Sequence, residues 1–95
     1  MAVKILIQRK VKPGKEKELN AIVRELRSKA MHARGFISGE TLRSMDDPAV
    51  HLVISTWKTV DDWNAWINGS DRKVLYDKMA GFLDEPTKAS PFQYE

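Results

Sequence analysis

The feature that most restricts the fold is a change of period inside Val50–Trp66, V-H-L-V-I-S-T-W-K-T-V-D-D-W-N-A-W. From Val50 to Trp57 the side chains alternate. His51, Val53, Ser55 and Trp57 share one side, and Val50, Leu52, Ile54 and Thr56 share the other. Most are β-branched or apolar, so the run predicts an interior strand covered on both faces. The period then becomes helical. Thr59, three residues before Asp62, makes a capping-box-like start, and Trp63, Trp66 and Ile67 follow at helical spacing. A strand that ends in Trp must therefore feed directly into a short Trp-rich helix.

The flanking segments set the order of elements. Ala2 to Val11 predicts a first strand, with Val3, Ile5, Ile7 and Val11 on one parity and Ala2, Leu6 and Gln8 on the other. Lys12-Pro13-Gly14 is a turn, because Pro13 has no N–H for a ladder. Lys15 to Arg34 predicts a helix whose Leu19, Ile22, Val23, Leu26 and Ala30 share a face. His32 and Arg34 would complement the end of its dipole, and Gly35 would terminate it. Phe36 to Met45 is a more polar strand suited to an edge, and Asp46-Asp47-Pro48 is the turn that leads to Val50. Beyond the Trp helix, Ser70 or Asp71 is expected to cap a last helix reaching Leu83, with Leu75, Met79, Phe82 and Leu83 on its apolar face. Lys88 to Glu95, with Pro91, predicts a short terminal strand at an edge.

The order β-α-β-β-α-α-β specifies one α+β domain over residues 1–95. Its plan is the ferredoxin-like split βαβ: a four-stranded antiparallel sheet in spatial order 4-1-3-2 with helices on one face. Helices on one face leave the other uncovered, yet the first and third strands are apolar on both parities. A homodimer with two sheets stacked about 10 Å apart would bury the second face.

Composition narrows the chemistry. With no cysteine, disulfides, thiolate metal sites and cysteine nucleophiles are excluded. The net charge of +3 arises from 16 bases interleaved with 13 acids, which describes a solvated surface better than a nucleic-acid footprint. The expectation is no nucleic-acid partner and no membrane partner, since no apolar run reaches spanning length and Met1–Arg9 lacks the features of a signal peptide. A cytoplasmic location is expected. No paired-His, Glu-x-x-His or Asp-rich metal pattern occurs. Ser70–Lys73 matches S-x-x-K without its companion motifs, Asn68–Ser70 matches a glycosylation sequon without a route to secretion, and Pro13–Lys15 lacks the rest of a phosphate loop.

Several stretches taken together resemble one family. These are the turn Val11-Lys12-Pro13-Gly14-Lys15, the Gly35-Phe36 lead-in to the second strand, and Trp57 followed by an acidic-aromatic helix. In this order and spacing the chain resembles the antibiotic biosynthesis monooxygenase domain along essentially its whole length. The resemblance implies a dimeric α+β barrel of ferredoxin-like protomers, each with a pocket between helices and sheet. One branch of that family degrades haem with an Asn on the first strand, a Trp ending the third and a His ligand on the last helix. Here the Trp slot holds Trp57, the His slot holds Tyr76, and the Asn slot holds Ile7 or Gln8. Two of the three depart, so no cofactor is expected, although Tyr can ligate haem iron. Another branch oxidises phenols or quinols with oxygen and without metal or flavin.

The candidate site follows. Trp57, Tyr76 and His51 are the candidate catalytic residues, and Trp57, Asn64, Trp66 and Tyr76 the candidate substrate-binding residues. Trp57 can stack on a flat ring or serve as core. Trp63 and Trp66, three apart on one helix face, favour core packing. Tyr76, near Arg72 and Lys73, can hydrogen-bond a substrate oxygen, and Asn64 can orient a hydroxyl. His51 is a candidate base on the same strand face as Trp57, but six residues and roughly 20 Å from it. The expected function is a small cofactor-independent monooxygenase acting on an electron-rich small aromatic molecule. The alternative is a non-catalytic ligand-binding or interaction dimer. RNA binding through the sheet needs aromatics on both central strands, and the first strand has none.

Overall fold

The computed structural model describes residues 1–95. Two antiparallel strands form its centre, β1 (Val3–Lys10) and β3 (Val50–Trp57), paired in continuous register from Val3 opposite Trp57 to Lys10 opposite Val50. β2 (Phe36–Arg43) adds to β3, and β4 (Lys88–Gln93) adds to β1, both antiparallel. The sheet order is β2-β3-β1-β4, the expected arrangement read from the opposite edge. The ferredoxin-like α+β plan is therefore the one the sequence specifies. Both polar strands occupy edges, as their composition requires.

The helices α1 (Glu16–Ala30), α2 (Val60–Ile67) and α3 (Ser70–Ala80) cover one face. Val11, Leu19, Leu26, Leu75, Met79 and Leu83 form one buried cluster beneath α1 and α3. Val3, Ile5, Ile7, Trp57 and Trp63 form the other beneath α2. No helix is long and apolar enough to cross a membrane.

Several boundaries differ from the sequence expectation, chiefly at helix ends. α1 ends at Ala30 rather than Arg34, because His32 and Ala33 bond back three residues, to Lys29 and Ala30, and tighten the chain into turns. Gly35 does not end the helix. It adopts φ +81° where the chain turns into β2, and its carbonyl accepts from Lys58 N–H at 2.8 Å. The cap of α3 is the extended backbone of Gly69, with no side-chain bond, so Ser70 and Asp71 lie inside the first turn. α3 stops at Ala80, and Leu83 bridges to Val11 beyond it.

The start of α2 follows the sequence signal. Thr59 is extended, and its hydroxyl accepts from Asp62 N–H at 3.1 Å. Only half of a capping box forms, because the Asp62 carboxylate instead meets Arg34 Nε at 3.3 Å.

Candidate functional site

Alignment of β1 and β3 places Val3 beside Trp57, Ile5 beside Ser55, Ile7 beside Val53 and Arg9 beside His51 on the helix-facing side. Val23, Leu26, Arg27 and Ala30 of α1 lie above these rows. Phe36 and Gly39 of β2 close one side, and Trp63, Trp66 and Tyr76 of α2 and α3 close the other. Together with Ile7, Arg9, Val53, Ser55 and Trp57 they enclose a cavity of about 70 Å³.

Trp57 is the hub of this cavity. Its ring meets Phe36 edge-on at 5.3 Å between centroids, meets Trp63 at 5.7 Å, and stacks on Trp66 at 6.1 Å and 30°. Its Nε1–H donates to the Ser55 hydroxyl at 3.1 Å. That bond consumes the only donor of the indole, so Trp57 presents the cavity with π surface alone. Trp57 and Trp63 are buried, whereas Trp66 and Tyr76 are partly exposed.

Arg72 covers Tyr76. Its guanidinium carbon lies 3.7 Å from the Tyr76 centroid and 5.6 Å from that of Trp63. Arg72 and Tyr76 are one helical turn apart, the spacing at which side chains on one face meet. Outside this stack an open cleft of about 620 Å³ runs between the end of α1 and the helices α2 and α3. His32, Arg34, Asp62, Trp66, Asp71 and Arg72 are among its lining residues. His32 therefore lies on a surface cleft beyond the helix end.

At the other end of the aromatic cavity lies Arg9. Only 4% exposed, it has Nε and Nη1 buried without any hydrogen-bond partner. A second cavity, of about 170 Å³, begins on its far side and is lined by Arg9, Asn20, Val23, Thr41, Leu42, Arg43 and His51. His51 is 6% exposed, and its Nε2 also lacks a partner. Burial pushes its pKa below the usual 6.5, and the Arg43 and Arg9 charges push the same way against a smaller opposing pull from Glu16. His51 is thus neutral near pH 7.

The structure brings together three of the residues singled out by sequence, Trp57, Trp66 and Tyr76. Asn64 is not among them. It is exposed, and only its backbone carbonyl is engaged, accepting from Asn68 Nδ2 at 2.9 Å. Trp63 and Trp66 take the inward face of α2, and Asn64, one residue and about 100° further round from Trp63, turns away. His51 lines the neighbouring cavity, with Arg9 between it and the rings. Ile7 lines the aromatic cavity while Gln8 is exposed, so the first-strand position there carries no amide. Tyr76, at the position where the haem-degrading branch carries its His, has its ring beneath the Arg72 guanidinium.

Arg9 and Arg72 escaped the sequence reading, although both left a signal. Arg9 interrupts the row Val3, Ile5, Ile7, Val11 with a charge, on the parity that must face the core. Arg72 stands four residues before Tyr76 on a helix.

The family described as antibiotic biosynthesis monooxygenase matches residues 2–78. Among solved structures, a conserved protein from Methanosarcina mazei Go1 superposes with a TM-score of 0.93 at 18% identity, over 100% of this chain and 94% of that one. SnoaB, a cofactor-independent oxygenase from Streptomyces nogalater, gives a TM-score of 0.87 at 14% identity, over 99% and 93%. Rv0793 from Mycobacterium tuberculosis gives 0.88 at 10% identity, over 100% and 96%. At these identities the likeness is one of fold. No curated protein sequence matches the chain.

Proposed function

Because the chain belongs to the antibiotic biosynthesis monooxygenase family, we propose that it is a small oxygenase that uses the aromatic cavity to oxidise a phenol or quinol with dioxygen. SnoaB, with the same fold, is a cofactor-independent oxygenase, and the same economy is proposed here. The substrate is the reductant. A phenol and one dioxygen give a quinone and one water, so one oxygen atom enters the ring and the other departs with two hydrogens. The protein needs only to hold the ring, exclude water and receive a proton.

The observation that carries this reading is the convergence of Phe36, Trp57, Trp63, Trp66 and Tyr76 on one cavity. Trp57 would stack on the substrate, and Tyr76 would meet its oxygen. The volume of about 70 Å³ is well below the roughly 300 Å³ at which ligand pockets usually begin. Entry of a ring therefore requires the partly exposed side chains, Trp66, Tyr76 and Arg72, to swing outward. Neutral His51 is the nearest base for a ligand long enough to reach past Arg9.

Oxygen uptake with a panel of phenols and quinols tests the assignment. Turnover by the wild type that falls at least tenfold in Trp57→Phe and Tyr76→Phe is the expected result. Equal rates in all three proteins would remove these residues from the chemistry. The aromatic cavity also suits a second reading, a binding protein without turnover. Saturable binding of a phenol with no oxygen consumed would favour it.

The same reading includes a homodimer. The face of the sheet away from the helices carries Leu6, Leu52 and Ile54, half-buried, and Leu42 and Phe92, exposed. Stacking two such faces about 10 Å apart would cover them.

A further inference from the structure

Arg9 is the least explained group in the molecule. Charged side chains are almost never fully buried unless paired, because removing a guanidinium from water costs several kcal/mol that a partner must offset. Arg9 has no carboxylate within ion-pair distance and no hydrogen bond at Nε or Nη1. The nearby ion pair joins Glu16 to Arg43 at 3.6 Å and leaves Arg9 out. Beside Arg9 stands His51, whose Nε2 is equally buried and equally unpartnered. The cavity they share with Asn20 and Arg43 has no acidic lining residue. One side of Arg9 therefore faces a basic cavity, and the other faces the aromatic rings.

We propose that Arg9, at the end of the aromatic cavity, is an anion subsite that receives the ionised oxygen of an acidic aromatic substrate, a carboxylate or phenolate whose ring lies in that cavity with Trp57 and Tyr76. This rests on the aromatic cavity being the substrate site. Guanidinium N–H groups bind such an oxygen with charge-assisted hydrogen bonds. The subsite sets specificity in two ways. It fixes which end of the molecule enters first. By favouring the ionised form it also holds a phenol as the phenolate, the electron-rich species that dioxygen oxidises. A neutral ligand of the same shape offers Arg9 only a carbonyl oxygen, whose hydrogen bonds lack the charge of a carboxylate and leave the guanidinium uncompensated.

Benzoate and benzamide, equal in shape and unequal in charge, are the probes. Their dissociation constants are measured by tryptophan fluorescence and calorimetry at pH 7.5 in wild type, Arg9→Met and Arg9→Lys. Wild type should bind benzoate at least tenfold more tightly than benzamide. Arg9→Met should abolish the preference by losing benzoate while keeping benzamide, and Arg9→Lys should retain part of it. Thermal melts of unliganded Arg9→Met provide the control. A variant relieved of an unpaired buried charge melts no lower than wild type, whereas a lower melting point would make Arg9 a structural residue and overturn the proposal. Equal affinity for both probes in wild type, or a preference that survives Arg9→Met, would remove the subsite and leave the aromatic site standing. Failure of benzoate and benzamide alike to bind at millimolar concentration would remove both. A preference that behaves as expected, with no oxygen uptake on any phenol, would keep the subsite and discard the oxygenase reading.

Discussion

The indole N–H of Trp57 donates to the hydroxyl of Ser55 across 3.1 Å, and both residues are buried. Two places apart on β3, they point to the same side, and the bond fixes the angle at which the Trp57 ring meets Phe36, Trp63 and Trp66. Ser55→Ala removes the acceptor and leaves a buried donor with nothing to bond. We expect a loss of about 1–3 kcal/mol in urea unfolding, the usual penalty for such a group. The near-ultraviolet circular dichroism of the Trp cluster should change with it. Unchanged stability and spectrum would show that the bond does not hold the ring.

Gly35 meets two demands at once. Its φ of +81° is unfavourable for any residue with a Cβ, and a Cβ built there would run into the side chain of Asp62. Gly35→Ala should cost about 1–3 kcal/mol from backbone strain together with the displaced carboxylate. In an Asp62→Gly background the same substitution should cost less, because the whole side chain it would run into is gone and only the backbone part remains. A double-mutant cycle in urea measures the difference, and strict additivity would show that the close approach is harmless.

His51 makes the fold sensitive to acid. Its pKa is lowered in the folded chain, so between the folded value and the unfolded value of about 6.5 the unfolded chain binds more protons. The stability it contributes is complete above about pH 6.5 and is lost as pH falls toward the folded value. The groups acting on it are Arg43 and Arg9, which oppose its protonation, and Glu16, which favours it. Wild type should therefore lose more stability than His51→Gln between pH 7.5 and pH 5. Carboxylate titration is common to both proteins and cancels in the comparison. Parallel pH profiles would contradict the assignment.

The proposed sheet-to-sheet dimer has a direct test. Ile54 lies at the centre of the face that the helices leave uncovered, on β3 between Leu6 of β1 and Glu40 of β2. Ile54→Lys places an unpaired charge in the middle of the stacked faces. Sedimentation of the wild type should give a dimer and of the variant a monomer. A wild-type monomer at micromolar concentration would dispose of the interface.

The chain discloses its fold unusually well because its period changes are sharp. The switch from alternation to helical spacing after Trp57 placed both β3 and the Thr59 cap. The apolar double parity of β1 and β3 put them at the centre of the sheet. Signals that depend on distant contacts were harder to read. Gly35 looks like a helix terminator because its φ serves that use equally well, and only the approach of Asp62 shows what it does. Trp57 and Tyr76 were legible as a pair through the resemblance of the chain to its family. Asn64 was misplaced because the helix had two apolar residues, Trp63 and Trp66, either side of it, and the inward direction falls on them. Arg9 was passed over because an alternating row is read for its majority, yet its one charged member is the residue that the rest of the structure leaves unexplained.

Pro91 sits in the middle of β4, opposite Ile5 of β1. It has no N–H to offer a further strand, and β2 on the opposite flank is irregular between Phe36 and Ser38. Lateral growth of the sheet into fibres is thereby discouraged at either margin. In a chain whose uncovered sheet surface is apolar, these two interruptions steer encounters between copies away from runaway ribbon formation.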